Sequence, residues 1–294
     1  MEPARRNERS AQKFWPAAVI IALLFSGASV YAEKQPAAVY GQGSRQLAVA
    51  TGSPGELGLL EVLAGKFAAL ENARVLWFKA GSGKSLALLK EKKVDLVLVH
   101  APAAEKKAVQ EGWAAKRTLL GSNEFYLVGP ADDPARVAGA QGAVDAYRRI
   151  AAARARFFSR GDQSGTHKKE LAIWEKASIK PGGDWYVVTR DFMTATLKRA
   201  NEDKGYFMVD SSTWVAEKGH LPNLQVLFKG DKFLVNTYHA LSQPAGATPE
   251  ATLAAQFIDF ISSVQGQQII KDFGQERYGE GLYNDAAYAR QYEE

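Results

Sequence analysis

The sequence predicts an α/β protein of two lobes, and three observations carry that expectation. From residue 45 to 129, short apolar runs alternate with segments of helical periodicity across short links, the order of a largely parallel sheet with covering helices. Pro130-Ala131-Asp132-Asp133-Pro134 then breaks the order, and a second strand–helix system follows. The runs Glu124–Gly129 and Phe233–Tyr238 flank that second system, so one lobe is inserted into the other and these runs are the expected crossings. A cleft between hinged lobes is a place where a small ligand can be enclosed.

At 294 residues and 46% hydrophobic, the chain can build two cores in lobes of roughly 100–150 residues each. The formal charge is +5, of which the first 32 residues hold +2, from Arg5, Arg6, Arg9 and Lys13 against Glu2 and Glu8. The remaining +3 is too small a surplus for a nucleic-acid face, and Trp77, Phe78, Trp113, Tyr126, Trp174, Trp185, Tyr186 and Trp214 are not interleaved with basic residues. There is no cysteine, which excludes disulfides and thiolate chemistry. The first 32 residues have the layout of a secretory signal peptide: a basic stretch from Arg5 to Lys13, an apolar one from Phe14 to Ser29, and small residues at Val30-Tyr31-Ala32 that set cleavage after Ala32. Residues 33–44 read as a polar, flexible leader. The mature chain is expected in the periplasm, with the first lobe at 45–125 and 236–294 and the second at 126–235.

Arg45 to Thr51 reads as the first strand, closed by the turn Thr51-Gly52-Ser53-Pro54. Leu57, Leu60, Leu63, Phe67 and Leu70 then recur at helical spacing. Val75 to Phe78 is the second strand and leads through Gly81-Ser82-Gly83-Lys84-Ser85 into a short helix with Leu86 and Leu89 inward. Asp95 to Val99 is nearly all apolar, as in a strand covered on both faces. Residues 103–111 read as a helix and Glu124 to Gly129 as a strand. In the second system, residues 140–153 are helical, Phe157-Phe158 is a short strand, and Leu171 and Trp174 mark the next helix. Trp185 to Val188 is a strand, and Met193, Leu197 and Ala200 form a helical stripe. Phe207–Val209 and Leu224–Phe228 are short strands, and Leu253, Phe257, Ile261 and Val264 line a long final helix.

Three polar turns are candidates for the cleft. Thr51 and Ser53 stand at the carboxyl end of the first strand, where open α/β sheets bind ligands; Ser53 as a plain helix cap is the alternative. Ser82, Gly83 and Lys84 offer N–H donors, a hydroxyl and a charge. The phosphate-loop motif would need glycine at position 78, where Phe78 stands. The third turn, Ser159-Arg160-Gly161-Asp162-Gln163-Ser164-Gly165-Thr166-His167, sets Arg160 beside Ser164, Gly165 and Thr166 at a strand-to-helix junction. Unpaired N–H groups at a helix start and a planar guanidinium suit an oxyanion. The competing reading pairs Arg160 with Asp162 and leaves Ser164 and Thr166 as helix caps. Asp162 is expected to order this loop rather than touch an anion. His167 is expected on the inward face with Leu171 and Trp174. His100 ends a strand on the ligand side and either donates to a ligand or fixes the crossing. With His100, His167, His220 and His239 alone, no spacing resembles a zinc site, and no metal is expected. No paired carboxylates suit acid–base work, so no catalytic residue is assigned.

The stretch Ser159 to Leu171, continued by Trp174 and Gly183-Asp184-Trp185-Tyr186, resembles the tungstate-binding periplasmic proteins. Asp95-Leu96-Val97-Leu98-Val99-His100-Ala101-Pro102 and Asn123 to Pro130 are similar to that family too, and the resemblance spans about residues 45–279. It implies a two-lobed periplasmic binding protein fold of type II, with mixed sheets flanked by helices. An oxyanion, tungstate or molybdate, would be held in the cleft without a cofactor and delivered to an inner-membrane ABC permease and its ATPase. Matched residue by residue, its ligand positions are Thr51, Ser53, Ser82, Gly83, Lys84, Arg160, Ser164, Gly165 and Thr166, with His100, Asp162 and His167 behind them. Four departures stand out: Gly52 and Pro54 interrupt the first turn, the second turn has Ser82 and Lys84 where the family resembles Gly-Thr-Gly followed by a small or polar residue, Asp210-Ser211-Ser212-Thr213 has serine where the family tends to arginine, and Asn236-Thr237-Tyr238 lacks the usual proline. A sensor for an organic or other anion, and a hydrolase using His100 or His167, are the alternatives.

Overall fold

The computed structural model describes Met1 and residues 35–293; the expected signal peptide and its cleavage point lie outside the described residues. The strands are β1 (Ala38–Tyr40), β2 (Arg45–Thr51), β3 (Ala73–Lys79), β4 (Leu96–Val99), β5 (Ala115–Gly129), β6 (Phe157–Ser159), β7 (Tyr186–Val188), β8 (Tyr206–Asp210), β9 (Gln225–Phe228), β10 (Val235–Ser242) and β11 (Asn284–Asp285). The helices are α1 (Ser53–Glu56), α2 (Leu59–Glu71), α3 (Ser82–Lys90), α4 (Pro102–Gln110), α5 (Ala143–Ala153), α6 (Gly165–Lys176), α7 (Met193–Glu202), α8 (Ser211–Glu217), α9 (Ala251–Ser262), α10 (Val264–Asp272), α11 (Gln275–Tyr278) and α12 (Ala286–Ala289).

The strands follow the order β1-β3-β2-β4-β10-β5-β8-β6-β7. β2 runs parallel to β3 and β4, and β6 parallel to β7 and β8, each joined through helices; β10 lies antiparallel between β4 and β5. β5 belongs to both halves: residues up to Glu124 pair with β10, and from Phe125 onward the strand pairs with β8 and β9. Two hydrophobic clusters cover the two faces of the first half. Leu96 and Leu98 face one and Val97 and Val99 the other, which is why β4 reads as an unbroken apolar run. A third cluster fills the second half, centred on Trp174, whose ring stands 4.4 Å from Tyr147 and 5.3 Å from Phe157 between centroids.

Several local expectations change. The segment read as a flexible leader contains β1, which pairs antiparallel with Val75–Trp77, and Gly43 packs so closely on Asn72 and Ala73 that no Cβ fits there. β5 starts at Ala115, nine residues before the run read from sequence, because Ala115–Gly121 lacks alternation. The single long final helix is two: Ser263 caps α10 through Gly266 N, and Val264 is 90% exposed rather than inward. Leu70 and Leu171 are exposed too.

Phe157 is fully buried among Tyr147, Trp174 and Tyr186. Replacing it by alanine should cost about 3–5 kcal/mol of stability, read as a lowered midpoint in urea unfolding.

Candidate anion-binding site

Of the places where a strand gives way to a helix, four matter here: β2 to α1, β3 to α3, β6 to α6 and β8 to α8. These turns meet. Ser53 Oγ is 3.4 Å from Asp210 Oδ2, which joins the α1 turn to the α8 turn. A Cβ built on Gly81 would lie 3.1 Å from that of Ser164, and one on Gly83 would lie 2.7 Å from the Gln163 carbonyl oxygen. A Cβ on Gly165 would fall 2.5 Å from the His100 ring and carbonyl. The α3 and α6 N-termini therefore face each other with only glycine between them, and the first N–H groups of a helix have no partner within it.

Arg160 is 3% exposed. Its Nε donates to the Asp191 carbonyl at 3.3 Å, its Nη2 pairs with Asp162 Oδ2, and its guanidinium lies over the Phe192 ring at 5.7 Å. Lys79, at the end of β3, reaches the same ring at 4.3 Å from the other half of the molecule. Asp162 turns its second oxygen to Ser164 N at 3.1 Å, so one carboxylate fixes both the arginine and the start of α6. The loop reaches this shape through Gly161 at φ +60, where a Cβ would meet Val188 at 2.1 Å. Ser164 caps α6 by accepting from His167 N at 3.2 Å. Thr166 Oγ1 is buried and, among the described residues, has no hydrogen-bond partner. A buried hydroxyl without a partner carries a desolvation penalty of about 1–3 kcal/mol that a polar guest would relieve.

On the opposite wall, Ser82 Oγ accepts from His100 N at 3.1 Å. Thr51 is buried, and its hydroxyl donates to the Leu98 carbonyl at 2.9 Å, which commits its proton to the sheet. Lys84 stands apart from the rest. Ser82 and Ser85 occupy the buried face of α3, and two residues on from Ser82 a helical step of about 200° turns Lys84 to solvent. The expectation that Lys84 supplies charge to the cleft is corrected accordingly. His167 is half-buried and accepts from Gln163 N at 3.1 Å within its own turn rather than packing across the lobe, and burial holds its pKa below the ordinary value. Among the described residues its ring makes no hydrogen bond to Asp162 or to the Ser164 hydroxyl, so no base–nucleophile pair is formed.

His100 heads a polar chain that sequence reasoning did not assemble. Its Nδ1 is 2.8 Å from Asn236 Oδ1; Asn236 Nδ2 donates to Asn123 Oδ1 at 2.8 Å; Asn123 Nδ2 reaches Ser212 Oγ at 2.8 Å and Asp210 Oδ1 at 3.3 Å. Because Asn236 presents its oxygen, Nδ1 of His100 carries the proton. Burial lowers the His100 pKa to about 4 against the raising effect of the Asn236 bond, so the ring is neutral at physiological pH. Burial raises that of Asp210, opposed by its bonds to the Thr213 amide and hydroxyl. The available signal for this chain was two asparagines inside otherwise apolar strands. Phe192 and Glu170 gave none beyond their residue type.

The matched family model is the PBP superfamily domain, over residues 34–265. A putative ABC transporter anion-binding protein of Haloferax volcanii is 37% identical over 79% of this chain and 70% of its own length. The tungstate-binding protein TupA of Peptoclostridium acidaminophilum is 34% identical over 84% of this chain and 87% of its own. The crystal structure of the tungstate ABC transporter from Geobacter sulfurreducens covers 79% of this chain and all of its own, at 35% identity and a TM-score of 0.71. With its two-part sheet, its four converging turns and these relatives, the chain belongs to the PBP superfamily and has the two-lobed fold of a substrate-binding protein.

Proposed function

We propose that this chain is an exported solute-binding protein that captures a small tetrahedral oxyanion, tungstate foremost and molybdate next, for uptake by an inner-membrane ABC permease and its ATPase. The observation that carries the reading is the grouping at the start of α6: buried Arg160 fixed by Asp162, the capped helix start at Ser164 and Gly165, and the unpartnered Thr166 hydroxyl. Ser53 and Ser82 supply the opposite wall. These groups replace water around the anion without reacting with it, so the protein binds and releases and does no chemistry. Residues 126–235 move as one body against 45–125 and 236–293, with the crossings at Glu124–Phe125 and Val235–Asn236. The anion enters the open form, and closure brings the Gly81 and Gly83 turn onto Ser164. The names and ligands of the similar proteins support this choice of anion.

Titration calorimetry of the full mature chain with tungstate, molybdate, sulfate and phosphate tests the reading; silence toward all four refutes it. Arg160→Ala should weaken tungstate binding by roughly ten- to a hundredfold, the worth of a charge-assisted hydrogen bond of about 1.5–3 kcal/mol. Lys84→Ala should leave the affinity unchanged in the same titration. Gly165→Ala adds a methyl in helical backbone with nowhere to go but the His100 ring. It should hold the lobes apart, seen as an enlarged radius of gyration by small-angle scattering with tungstate present and as at least about a tenfold loss of affinity.

A further inference from the structure

Behind the anion turn, on the buried side of α6, stands a carboxyl group that the proposed capture does not use. Glu170 is 2% exposed. Its Oε1 accepts from Trp174 Nε1 at 3.1 Å and from Tyr186 OH at 2.7 Å, two neutral donors. Ser159, the last residue of β6 and the one before Arg160, lies beside Glu170 and Tyr186 with its hydroxyl buried and its Oγ without a hydrogen-bond partner among the described residues. From α5 the Tyr147 phenol faces the same carboxyl, and from the loop the Asp162 carboxylate acts on it with like charge. Lys168 and Lys169 directly precede Glu170 in sequence, and Lys169 Nζ lies over the Phe233 ring at 4.5 Å; Arg160 makes its contacts with Asp162, Asp191 and Phe192.

The two donated bonds favour the carboxylate, but burial and the like charge of Asp162 favour the neutral acid. One oxygen of a protonated carboxyl takes the two donors, and the other is left with an O–H that the neighbouring Ser159 hydroxyl, buried without a partner among the described residues, is able to accept. Burial, first, and then the Asp162 charge push the Glu170 pKa up to about 7, although the bonds from Tyr186 and Trp174 and the nearby Ser159 hydroxyl pull the other way.

We propose that Glu170 is a positioning residue for the oxyanion site, held as a neutral carboxylic acid that fixes the end of β6 under Arg160, and that its ionisation sets the alkaline limit of anion binding. The inference rests on the oxyanion reading given above. The sign follows from charge. Below the titration point the carboxyl is neutral and the turn is held. Above it a buried negative charge appears one side chain from the residue preceding Arg160, loses its O–H to Ser159, and repels a dianion. Among the other groups facing this region, burial raises the Tyr147 and Tyr186 phenols and lowers His167, so each is shifted away from the Glu170 titration.

The test is calorimetric titration of tungstate into the full mature chain between pH 6 and pH 9, where the anion keeps its charge. The wild-type protein should bind at least about tenfold more weakly at pH 9 than at pH 6. Glu170→Gln keeps an oxygen for Trp174 and Tyr186 and offers an N–H to Ser159, so it should bind at pH 9 as the wild type does at pH 6, with no pH dependence. Glu170→Ala should bind weakly at both pH values. In the ligand-free protein, the Trp174 indole N–H resonance should titrate with a midpoint near neutrality and become pH-independent in Glu170→Gln. Tungstate binding by the wild type that is flat from pH 6 to 9, or a Glu170→Gln variant that declines in parallel, overturns the inference while leaving oxyanion capture standing. A wild-type protein that binds none of the oxyanions at pH 6 overturns the functional reading itself. A static indole resonance removes the ionisation even then.

Discussion

Burying a guanidinium costs several kcal/mol unless its charge is paired and its donors are used, and the shape of the anion turn follows from how that cost is offset. Arg160 is paired with Asp162 and anchored at Nε by the Asp191 carbonyl. Asp162 also receives the Ser164 amide, so the same carboxylate that neutralises the arginine orients the first turn of α6. The structure shows the Arg160–Asp162 pair that the competing reading expected, and that pair leaves the proposed ligand contact compatible with it. A fork fixed at two of its nitrogens is pre-organised, and the positive potential of the site comes from the helix N-termini as much as from a net side-chain charge. An acidic partner inside an anion site then limits total attraction, which favours release as well as capture.

The two walls are matched by absence of side chain. Gly81, Gly83 and Gly165 occupy the points of closest approach, and at each a methyl would meet Ser164, Gln163 or His100 within about the closest van der Waals separation. Phe192 bridges the remaining gap, taking Arg160 from its own half and Lys79 from the other on one ring. Lys79 also pairs with Glu56 at 2.7 Å, so this edge of the cleft is held by charge and aromatic surface, while the centre is held by backbone.

Much of the architecture was legible because burial writes itself into periodicity. The continuous apolar run of β4, the spacing on α2 and the break at Pro130–Pro134 each have one simple physical cause. What failed to show was structure without pattern: β1 is three residues held at an edge, and the first half of β5 carries Lys116, Arg117 and Thr118 because part of that strand is exposed. The final helix was read as one since apolar spacing continues to Val264, yet Ser263 satisfies the α10 amides and resets the phase. At the candidate site, residue type singled out Arg160, Ser164 and Thr166, all buried in the structure, but side-chain direction was invisible. Lys84 follows two glycines and a serine, and only the helical phase of α3, fixed by burial of Ser82 and Ser85, turns it outward.

The chain from His100 through Asn236 and Asn123 to Asp210 passes through the two strands that cross between the halves, where an apolar interior would have packed more simply. Each member satisfies the next, and in a low-dielectric interior that makes the network strongly dependent on its own geometry. An apolar contact tolerates sliding by fractions of an ångström with little loss, whereas a linked set of amide hydrogen bonds loses alignment together. Asn123 and Asn236 face each other directly in the β5–β10 register, so the crossing strands cannot shear past one another without breaking their side-chain bond. Under the proposed lobe motion, bending would fall at Glu124–Phe125 and Val235, which lie together on the second-half side of the locked pair. At one end of the chain His100 packs on Gly165, and at the other Asp210 holds Ser53 and Thr213, so the hinge and both walls of the cleft share one hydrogen-bonded frame.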